Sequence, residues 1–223
     1  MIDLDFKKLE DQRMAFDIHG VSPYFVNSVR RTLAVDVPKL ALEDIEFHLG
    51  PVRVGGGKEY ESISPSFDET VAHRLGLVPI PTDLETQLAM AEGSTPSLPV
   101  IYKLSKKGPC VVYSGDLEPI GDITKPIRDP LIPLIKLTEG QAPLIYATAV
   151  LGTGRQHAKW MPCSGIGYHY DSEDLDERGQ PKTFTFTFET DGSITTLEAL
   201  RFALRHLEQT FAKVDELVAA LEG

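Results

Sequence analysis

The chain has 223 residues, of which 42% are hydrophobic, and this is enough to bury one or two cores of ordinary size. No run approaches the roughly 20 apolar residues that a membrane-spanning helix needs. The amino-terminal sequence MIDLDFKKLEDQ is charged and lacks the apolar core of a signal peptide, so we expect a cytoplasmic protein that binds no membrane. The formal net charge is −11, and because an acidic surface repels phosphate, direct binding to nucleic acid is disfavoured.

The amino-terminal segment predicts two strands, a helix and a third strand. Apolar and polar residues alternate in the strand segments, which is typical of half-buried strands. The alternating apolar residues are Leu4 and Phe6, then Met14, Phe16 and Ile18, and after the helix Ile45, Phe47 and Leu49. Between them, Ser22 as the N-cap and Pro23 at the first helical position predict the start of a helix. One face of this helix is apolar, with Phe25, Val26, Val29 and Leu33, whereas Arg30 and Arg31 point away from most of that face.

The middle of the chain, from about residue 50 to about 170, predicts short strands joined by turns. It holds most of the prolines and glycines, together with short apolar runs and a glycine-rich loop, VGGGKEY. A helix is predicted after Ser66, because Ser66 and Glu69 have the spacing of a capping box. Gly76 is expected just beyond its end in a left-handed conformation.

The carboxy-terminal segment predicts a strand followed by a long helix. Phe184, Phe186 and Phe188 share one face of the strand, after an acidic, turn-rich connection at residues 170–181. An Asp191-Gly192 turn follows, and Thr195 with Glu198 forms a second capping box. Apolar residues then recur at alternating steps of three and four, as in a coiled-coil seam: Leu197, Leu200, Leu204, Leu207, Phe211, Val214, Val218 and Leu221.

So narrow an apolar seam on a long helix needs a packing partner. The first half of the helix is expected to pack on its own sheet. The last turns, beyond about Phe211, run past the reach of so small a domain. We therefore expect a second chain to cover them and an apolar patch to be exposed in the free protein.

No residue pattern indicates catalysis or metal binding. Glu69 and His73 are four residues apart in the predicted helix, but no H-E-x-x-H arrangement is present, and a zinc site needs three converging ligands. The two cysteines, Cys110 and Cys163, are too far apart in sequence to suggest a metal cluster or a disulfide framework. Two-metal catalysis needs a cluster of carboxylates, and no D-x-D-x-D run occurs.

The segment LGTGRQHAKW, residues 151–160, could wrap a phosphate but completes neither a P-loop nor a G-x-G-x-x-G fingerprint. It predicts a tight turn that presents side chains to a neighbouring protein, and Arg and Trp are favoured anchors in such interfaces. The residues presented would be Arg155, His157, Lys159 and Trp160.

Four segments, in order along the chain, resemble the D subunit family of archaeal RNA polymerase. This family is the counterpart of the bacterial α subunit and of the third-largest subunit of eukaryotic polymerase II. DETVAHRLGLVPI (68–80) resembles a family signature, and FDIHGVSPYFVNSVRRTLAVDVPKLALEDIEF (16–47) its α-motif. AVLGTGRQHAKWMPC (149–163) resembles the glycine-rich turn, and residues 183–218 resemble the closing strand and long helix.

The resemblance implies an α+β fold with a discontinuous dimerisation domain, an antiparallel sheet with two helices, interrupted by an inserted β-rich domain. The expected boundaries are 1–39 and 171–223 for the dimerisation domain and 40–170 for the inserted domain. The chain would be a non-catalytic assembly subunit that pairs with a small L-like subunit. The residues expected at that interface are Phe25 and Val29 on the first helix and Leu200, Leu204, Leu207, Phe211, Val214, Val218 and Leu221 on the last.

The resemblance also implies contacts with other polymerase subunits. Arg30 and Arg31 would lie toward the large catalytic subunits. The helix after Ser66 and the HAKW turn would belong to the inserted domain, near the second-largest subunit and the small zinc-bearing subunits. The expected contact residues are Arg30, Arg31, His73, Arg74, Arg155, His157, Lys159 and Trp160.

One feature of many family members is missing from this sequence. A cysteine-rich, ferredoxin-like insertion is replaced here by the short acidic link at residues 170–181. Because an iron–sulfur cluster takes about four cysteine thiolates, we expect no cluster and no other cofactor. Two alternatives stay open at this stage: a homodimeric adaptor of the same fold outside polymerase, and a small hydrolase that uses His73 or His157.

Overall fold

The computed structural model describes residues 2–53, 59–91, 100–121 and 125–221. The predicted glycine-rich loop therefore lies mostly outside the described residues. The described chain is α+β, with antiparallel sheets and few helices, which confirms the predicted fold class. It divides into two units: Met1–Lys39 with Thr82–Ser94 and Thr153–Gly223, and Leu40–Pro81 with Thr95–Gly152. We call them the terminal unit and the central unit.

The terminal unit is built on an antiparallel four-stranded sheet. Its strands lie in the order β1 (Asp3–Leu9), β2 (Arg13–His19), β12 (Thr183–Thr190) and β11 (Cys163–His169). One face of the sheet is apolar because the two central strands, β2 and β12, alternate, and that face packs against α1 (Pro23–Val35) and α4 (Thr196–Ala219). Phe16 and Phe186 stack across neighbouring strands, with ring centroids 5.3 Å apart, at the centre of this core.

The central unit contains a second four-stranded sheet. Its strands lie in the order β3 (Lys39–Phe47), β10 (Leu144–Gly152), β6 (Val100–Ser105) and β8 (Leu117–Ile120). Two antiparallel pairs accompany it, β4 (Pro51–Arg53) with β5 (Glu59–Glu61) and β7 (Cys110–Tyr113) with β9 (Pro133–Leu137). The helix α2 (Asp68–Gly76) buries Val71 and Leu75 in the core of this unit.

The expected boundary between residues 170 and 171 is wrong, because residues 153–170 belong to the terminal unit. β11 lies within this stretch and pairs antiparallel with β12, so the chain has already returned before residue 171. A further segment also joins this unit and adds a third helix, α3 (Leu84–Ala91), to the two expected. Thr82 donates its backbone N–H to the Ser193 carbonyl at 2.9 Å, and Gln87 Nε2 donates to the Pro38 carbonyl at 2.9 Å.

The capping box predicted for α2 is not formed. The helix begins at Asp68, and its N-cap is Phe67, whose carbonyl accepts from the N–H groups of Thr70 and Val71. Ser66 therefore lies one residue too early, and the third helical residue is Thr70 instead of Glu69. Gly76 is the last helical residue and lacks the positive φ predicted for it. The strand predicted through Leu49 ends at Phe47, and Leu49 is exposed.

Candidate partner interface

The amino-terminal half of α4 is fixed to the sheet of the terminal unit. The predicted capping box is present: the Glu198 N–H donates to Thr195 Oγ1 at 3.2 Å, and the Thr195 N–H donates to Glu198 Oε2 at 2.9 Å. Ala199, Phe202 and Ala203 are buried against the core. This half of the helix is thus ordered by its own domain, as the sequence predicts.

The carboxy-terminal half of α4 leaves the core. Every residue from 208 to 221 is exposed, and Phe211 keeps 67% of its surface accessible. The large exposed apolar residues of this half are Phe211, Val214, Leu217, Val218 and Leu221. Leu217 was not included in the predicted seam, although it lies three residues after Val214 and so falls on the same side of the helix. We call this group the α4 apolar face.

An apolar cavity of about 150 Å³ lies between β1, α1 and the buried half of α4. Its lining includes Phe25, Val29, Leu200 and Leu204. Val29 and Leu200 are already buried in the core of the terminal unit, so little of their surface remains for a partner. Leu207 packs partly against the same core. Of the nine expected interface residues, the exposed ones are therefore those toward the end of α4, together with Leu204.

The edge strand β1 adds apolar surface that the sequence analysis did not assign to an interface. Ile2, which precedes it, is 65% exposed, and Leu4 and Phe6 are also exposed. Leu4 pairs with Ile18, and Phe6 with Phe16, so they share the sheet face that the helices cover further in. The alternation of β1 in the sequence predicts an apolar stripe along this strand. Because the stripe stays exposed in the structure, a further surface is expected to cover it.

The predicted HAKW turn lies against the end of α1. A Cβ atom on Gly154 would be 2.7 Å from Met161 Cγ, 3.1 Å from the Ala34 carbonyl oxygen and 3.1 Å from Val35 Cα, so only glycine fits this close approach. Arg155 forms an ion pair with Asp36, the C-cap residue of α1, and this contact raises the pKa of the Arg155 guanidinium. Arg155 itself remains mostly exposed.

The other residues of the turn differ in what they present. The Lys159 N–H donates to Nδ1 of His157 at 3.1 Å, which fixes the exposed imidazole over a short 3₁₀ turn, Ala158–Trp160. Trp160 is only 7% exposed, so the indole that we expected to face a partner is buried instead. Lys159 Nζ lies 4.5 Å from the centroid of its ring, a cation–π distance.

The remaining predicted contact residues lie on two helices. On α1, Arg31 is exposed, and Arg30 donates from Nε and Nη2 to Asn27 Oδ1 at 3.1 and 3.0 Å. On α2, in the central unit, His73 is exposed, and Arg74 Nη2 donates to the Pro133 carbonyl at 2.8 Å.

The described part of the chain offers little for catalysis. Within it, no group of three or more His, Cys, Asp or Glu side chains is placed to hold a metal ion. Cys110 and Cys163 are both free thiols, and burial raises the pKa of Cys163 well above its ordinary value. His73 and His157 belong to different units. Separately, none of the helices among the described residues is long and apolar enough to cross a membrane.

Comparison with known proteins identifies the family that this chain resembles. The family described as RNA polymerase Rpb3/Rpb11 dimerisation domain matches residues 15–211. The chain is 36% identical to DNA-directed RNA polymerase subunit Rpo3 of Picrophilus torridus over 96% of this chain and 98% of the relative. It is also 36% identical to the Rpo3 subunit of Thermoplasma volcanium, over 90% of this chain and 93% of the relative. The Rpo3 subunit of Pyrococcus horikoshii is 28% identical over the whole of this chain and 98% of its own length. The chain therefore belongs to the RNA polymerase Rpb3/Rpb11 dimerisation domain family.

Proposed function

We propose that this chain is a non-catalytic assembly subunit of a multisubunit DNA-directed RNA polymerase. It pairs with a small L-like subunit, and the resulting dimer forms a platform for the large catalytic subunits and the small zinc-bearing subunits. The nucleotidyltransferase activity belongs to the assembled enzyme in the cytoplasm, and this chain binds no cofactor. The observation that carries the proposal is the exposed α4 apolar face in a family described by dimerisation.

The energetics favour a partner over an exposed helix end. Each large apolar side chain that becomes fully buried contributes about 1.5–3 kcal/mol before ordering costs are subtracted. Association itself costs about 4–15 kcal/mol, so a few residues of α4 alone give only weak pairing. The cavity beside α1 and the exposed stripe of β1 lie in the same unit and supply further apolar surface. Together, these three surfaces make the terminal unit the proposed dimerisation domain.

A different chain is a better partner than a second copy. Each copy carries a formal net charge of −11, so two copies repel each other over the range of the Debye length, about 8 Å at physiological salt. A homodimeric adaptor remains the competing hypothesis, and it makes a different prediction for the mass of the chain in solution.

The test is the mass in solution of this chain, alone and mixed with a candidate L-like subunit. We expect the chain alone to aggregate or self-associate weakly, and the mixture to give a one-to-one complex. A discrete dimer that does not exchange with the L-like subunit would support the adaptor hypothesis. A monomer that ignores the L-like subunit would contradict the proposed pairing.

The absence of an iron–sulfur cluster is part of the proposal and is tested separately. The chain has two cysteines, and cluster ligation takes about four thiolates. We expect protein purified without oxygen to contain no iron and to show no visible absorbance band of an iron–sulfur cluster. Stoichiometric iron in the purified chain would contradict this part of the proposal.

A further inference from the structure

The two halves of α4 are held in place very differently. The first half begins at a complete capping box and buries Ala199, Phe202 and Ala203 in the core of the terminal unit. From residue 208 to residue 221 every side chain is exposed. None of these residues packs in a buried core or forms an ion pair with another described residue. We call residues 208–221 the α4 end.

The α4 end also lacks the local features that stabilise the end of a helix. The Thr210 hydroxyl donates to the His206 carbonyl at 2.7 Å, and such a bond competes with the backbone and slightly weakens a helix. Glu216 lies in the last turn, Asp215 comes just before it, and no basic residue lies there to compensate the negative end of the helix dipole. Beyond the C-cap, Ala220, no described residue has the positive φ of a left-handed helix stop.

Local opening of the α4 end therefore requires little free energy in the free chain. A segment that buries no apolar side chain opens far more readily than the whole domain unfolds. Isolated helices of about 14 residues are marginal in water. The terminal unit keeps its core when the α4 end opens, because the buried residues of α4 lie between Thr196 and Ala203. The opened state is an extended segment that carries the whole α4 apolar face and is joined to a folded domain.

We propose that the α4 end is the segment at which a cellular protease with a preference for large apolar side chains cleaves the unpaired chain. Its occupant is the active-site cleft of that protease, which admits the opened segment and not the closed helix. Hydrolysis consumes one water molecule: a peptide C–N bond breaks, and the new ends are a carboxylate and an ammonium group. This inference rests on the proposed function and deepens it, because pairing then sets the lifetime of the chain.

Pairing with an L-like subunit protects the α4 end by mass action. A partner that covers the α4 apolar face binds only the helical form, so the open population falls by the factor 1 + [L]/Kd, where [L] is the free concentration of the L-like subunit. When opening and closing are fast relative to cleavage, the cleavage rate follows the open population. A partner present at about 100 times its Kd should therefore slow cleavage about 100-fold.

The first test is limited proteolysis of the full chain with chymotrypsin, which cleaves after large apolar and aromatic residues, followed by mass spectrometry. We expect the first cleavage within residues 208–221, and we expect the remaining fragment to keep a cooperative urea transition. The L-like subunit, once its pairing is established by mass, should slow this cleavage as its concentration rises. A first cleavage elsewhere in the chain, or equal cleavage of the free and paired chain, would overturn this inference.

Two substitutions change opening and leave the α4 apolar face intact. Ala212 is exposed, and no residue of that face lies three or four positions from it. Ala212→Gly lowers helix propensity and should speed cleavage of the free chain about threefold to fivefold. Thr210→Ala removes the competing hydroxyl and raises helix propensity, so it should slow cleavage about twofold to threefold.

Arg201→Gly is the matched control for these two variants. Arg201 is also exposed on α4, but it lies in the half that is packed on the core, and opening of the α4 end does not involve it. This variant should leave the rate of cleavage within residues 208–221 unchanged. Equal rates for all three variants and the unmodified chain would show that opening plays no part, and the inference would fail.

The lifetime of the chain in cells tests the biological consequence. The chain is produced in a bacterial host with or without the L-like subunit, synthesis is stopped, and the remaining chain is measured over time. We expect the half-life to be about threefold or more longer with the partner. Ala212→Gly should shorten the half-life of the unpaired chain, and Thr210→Ala should lengthen it. Equal half-lives with and without the partner would overturn this inference.

The outcomes distinguish this inference from the proposed function. If the mass in solution shows pairing but the partner protects neither against chymotrypsin nor in cells, only this inference is overturned. If the mass shows no pairing, the proposed function and this inference fail together. If the chain alone is a discrete dimer that resists chymotrypsin, a second copy covers the α4 end, and the adaptor hypothesis replaces both.

Discussion

Phe211 is the residue at which folding and pairing can be separated most cleanly. Its ring is 67% exposed in the free chain, and it contacts none of the buried core. Leu207 is a less suitable position, because it packs partly against that core and its substitution would disturb folding as well. The same sequence pattern thus contains residues with different roles, which only their burial reveals.

Phe211→Asp should abolish pairing with an L-like subunit and leave the chain folded. The carboxylate would be buried without a partner at the interface, whereas in the free chain it stays hydrated. We expect the free energy of unfolding of the chain alone to change by less than about 0.5 kcal/mol. Size-exclusion chromatography with light scattering measures pairing, and urea unfolding measures stability.

Gln209→Asp is the matched control for Phe211→Asp. Gln209 is also exposed on α4, but no residue of the α4 apolar face lies three or four positions from it, so it is on the other side of the helix. This variant should pair normally. Loss of pairing in both variants would mean that any negative charge on α4 is harmful, and the assignment of the α4 apolar face would fail.

Gly154 is constrained by the approach of neighbouring atoms. A methyl group at this position would collide with Met161 and with the backbone of Ala34 and Val35, so Gly154→Ala should destabilise the chain by about 1–3 kcal/mol. Gly167→Ala is the control, because a methyl group there meets no atom within 4 Å. Urea unfolding of both variants tests the difference, and equal stabilities would contradict the close packing of the turn on α1.

At the scale of the element, α4 divides into a half that packs on its own domain and a half whose side chains are exposed. Exposed apolar residues of the second half continue the pattern of the first, so the helix does not end where the core ends. Isolated helical segments of this length are marginal in water, and the second half is held by its continuity with the first.

Removal of residues 211–223 should abolish pairing and leave the terminal unit folded. The described residues of this stretch are all exposed, so their loss removes no buried side chain. We expect the melting temperature of the shortened chain to stay within about 3 °C of the full chain, since no core contact is lost. Differential scanning calorimetry and mass measurement with the L-like subunit test this. A large fall in melting temperature would show that the end of α4 stabilises its own domain.

The elements that the sequence predicts well are those whose signals are local. Thr195 and Glu198 are three residues apart, and the apolar period of α4 continues for more than twenty residues, so both the start and the face of this helix are readable. Ser22 and Pro23 give α1 in the same way. The sequence predicts the N-cap of α2 one residue too early, at Ser66, because the actual N-cap, Phe67, has no side chain that accepts a hydrogen bond.

Other features depend on contacts between distant residues and could not be read from the sequence. β11 contains glycines and has no clear alternation, so its pairing with β12 is visible only in the fold. The place of α3 depends on contacts such as Gln87 with Pro38, 49 residues apart. The chemistry of Trp160 predicts a place at an interface, and no local signal in the sequence predicts its burial.

At the scale of the whole molecule, the terminal unit is assembled from three separate stretches of chain. Strands from the amino-terminal stretch pair with strands from the carboxy-terminal stretch, so neither end can complete the sheet alone. Lys39 and Asp191 add a charged contact between the same two stretches. The Lys39 side chain is 3% exposed and forms an ion pair with Asp191, whose Oδ1 also accepts from the N–H and Oγ of Ser193 at 2.9 and 2.6 Å.

The two members of this ion pair should differ in the cost of their removal. Asp191→Ala leaves the buried Lys39 ammonium without its carboxylate and removes both hydrogen bonds to Ser193, so we expect a loss of about 3–5 kcal/mol. Lys39→Met keeps the apolar stem, and the Asp191 carboxylate remains partly hydrated and bonded to Ser193, so about 1 kcal/mol or less is expected. Lys182→Ala, which breaks the exposed pair of Lys182 with Asp174 and leaves the hydrogen bond from Thr183 Oγ1 to Asp174 in place, should cost no more than about 1 kcal/mol. Urea unfolding of the three variants tests the order, and equal losses for Asp191→Ala and Lys39→Met would contradict it.

Because the buried pair joins the amino-terminal and carboxy-terminal stretches, Asp191→Ala should also lower the fraction of chain able to pair with an L-like subunit, although Asp191 lies outside the α4 apolar face.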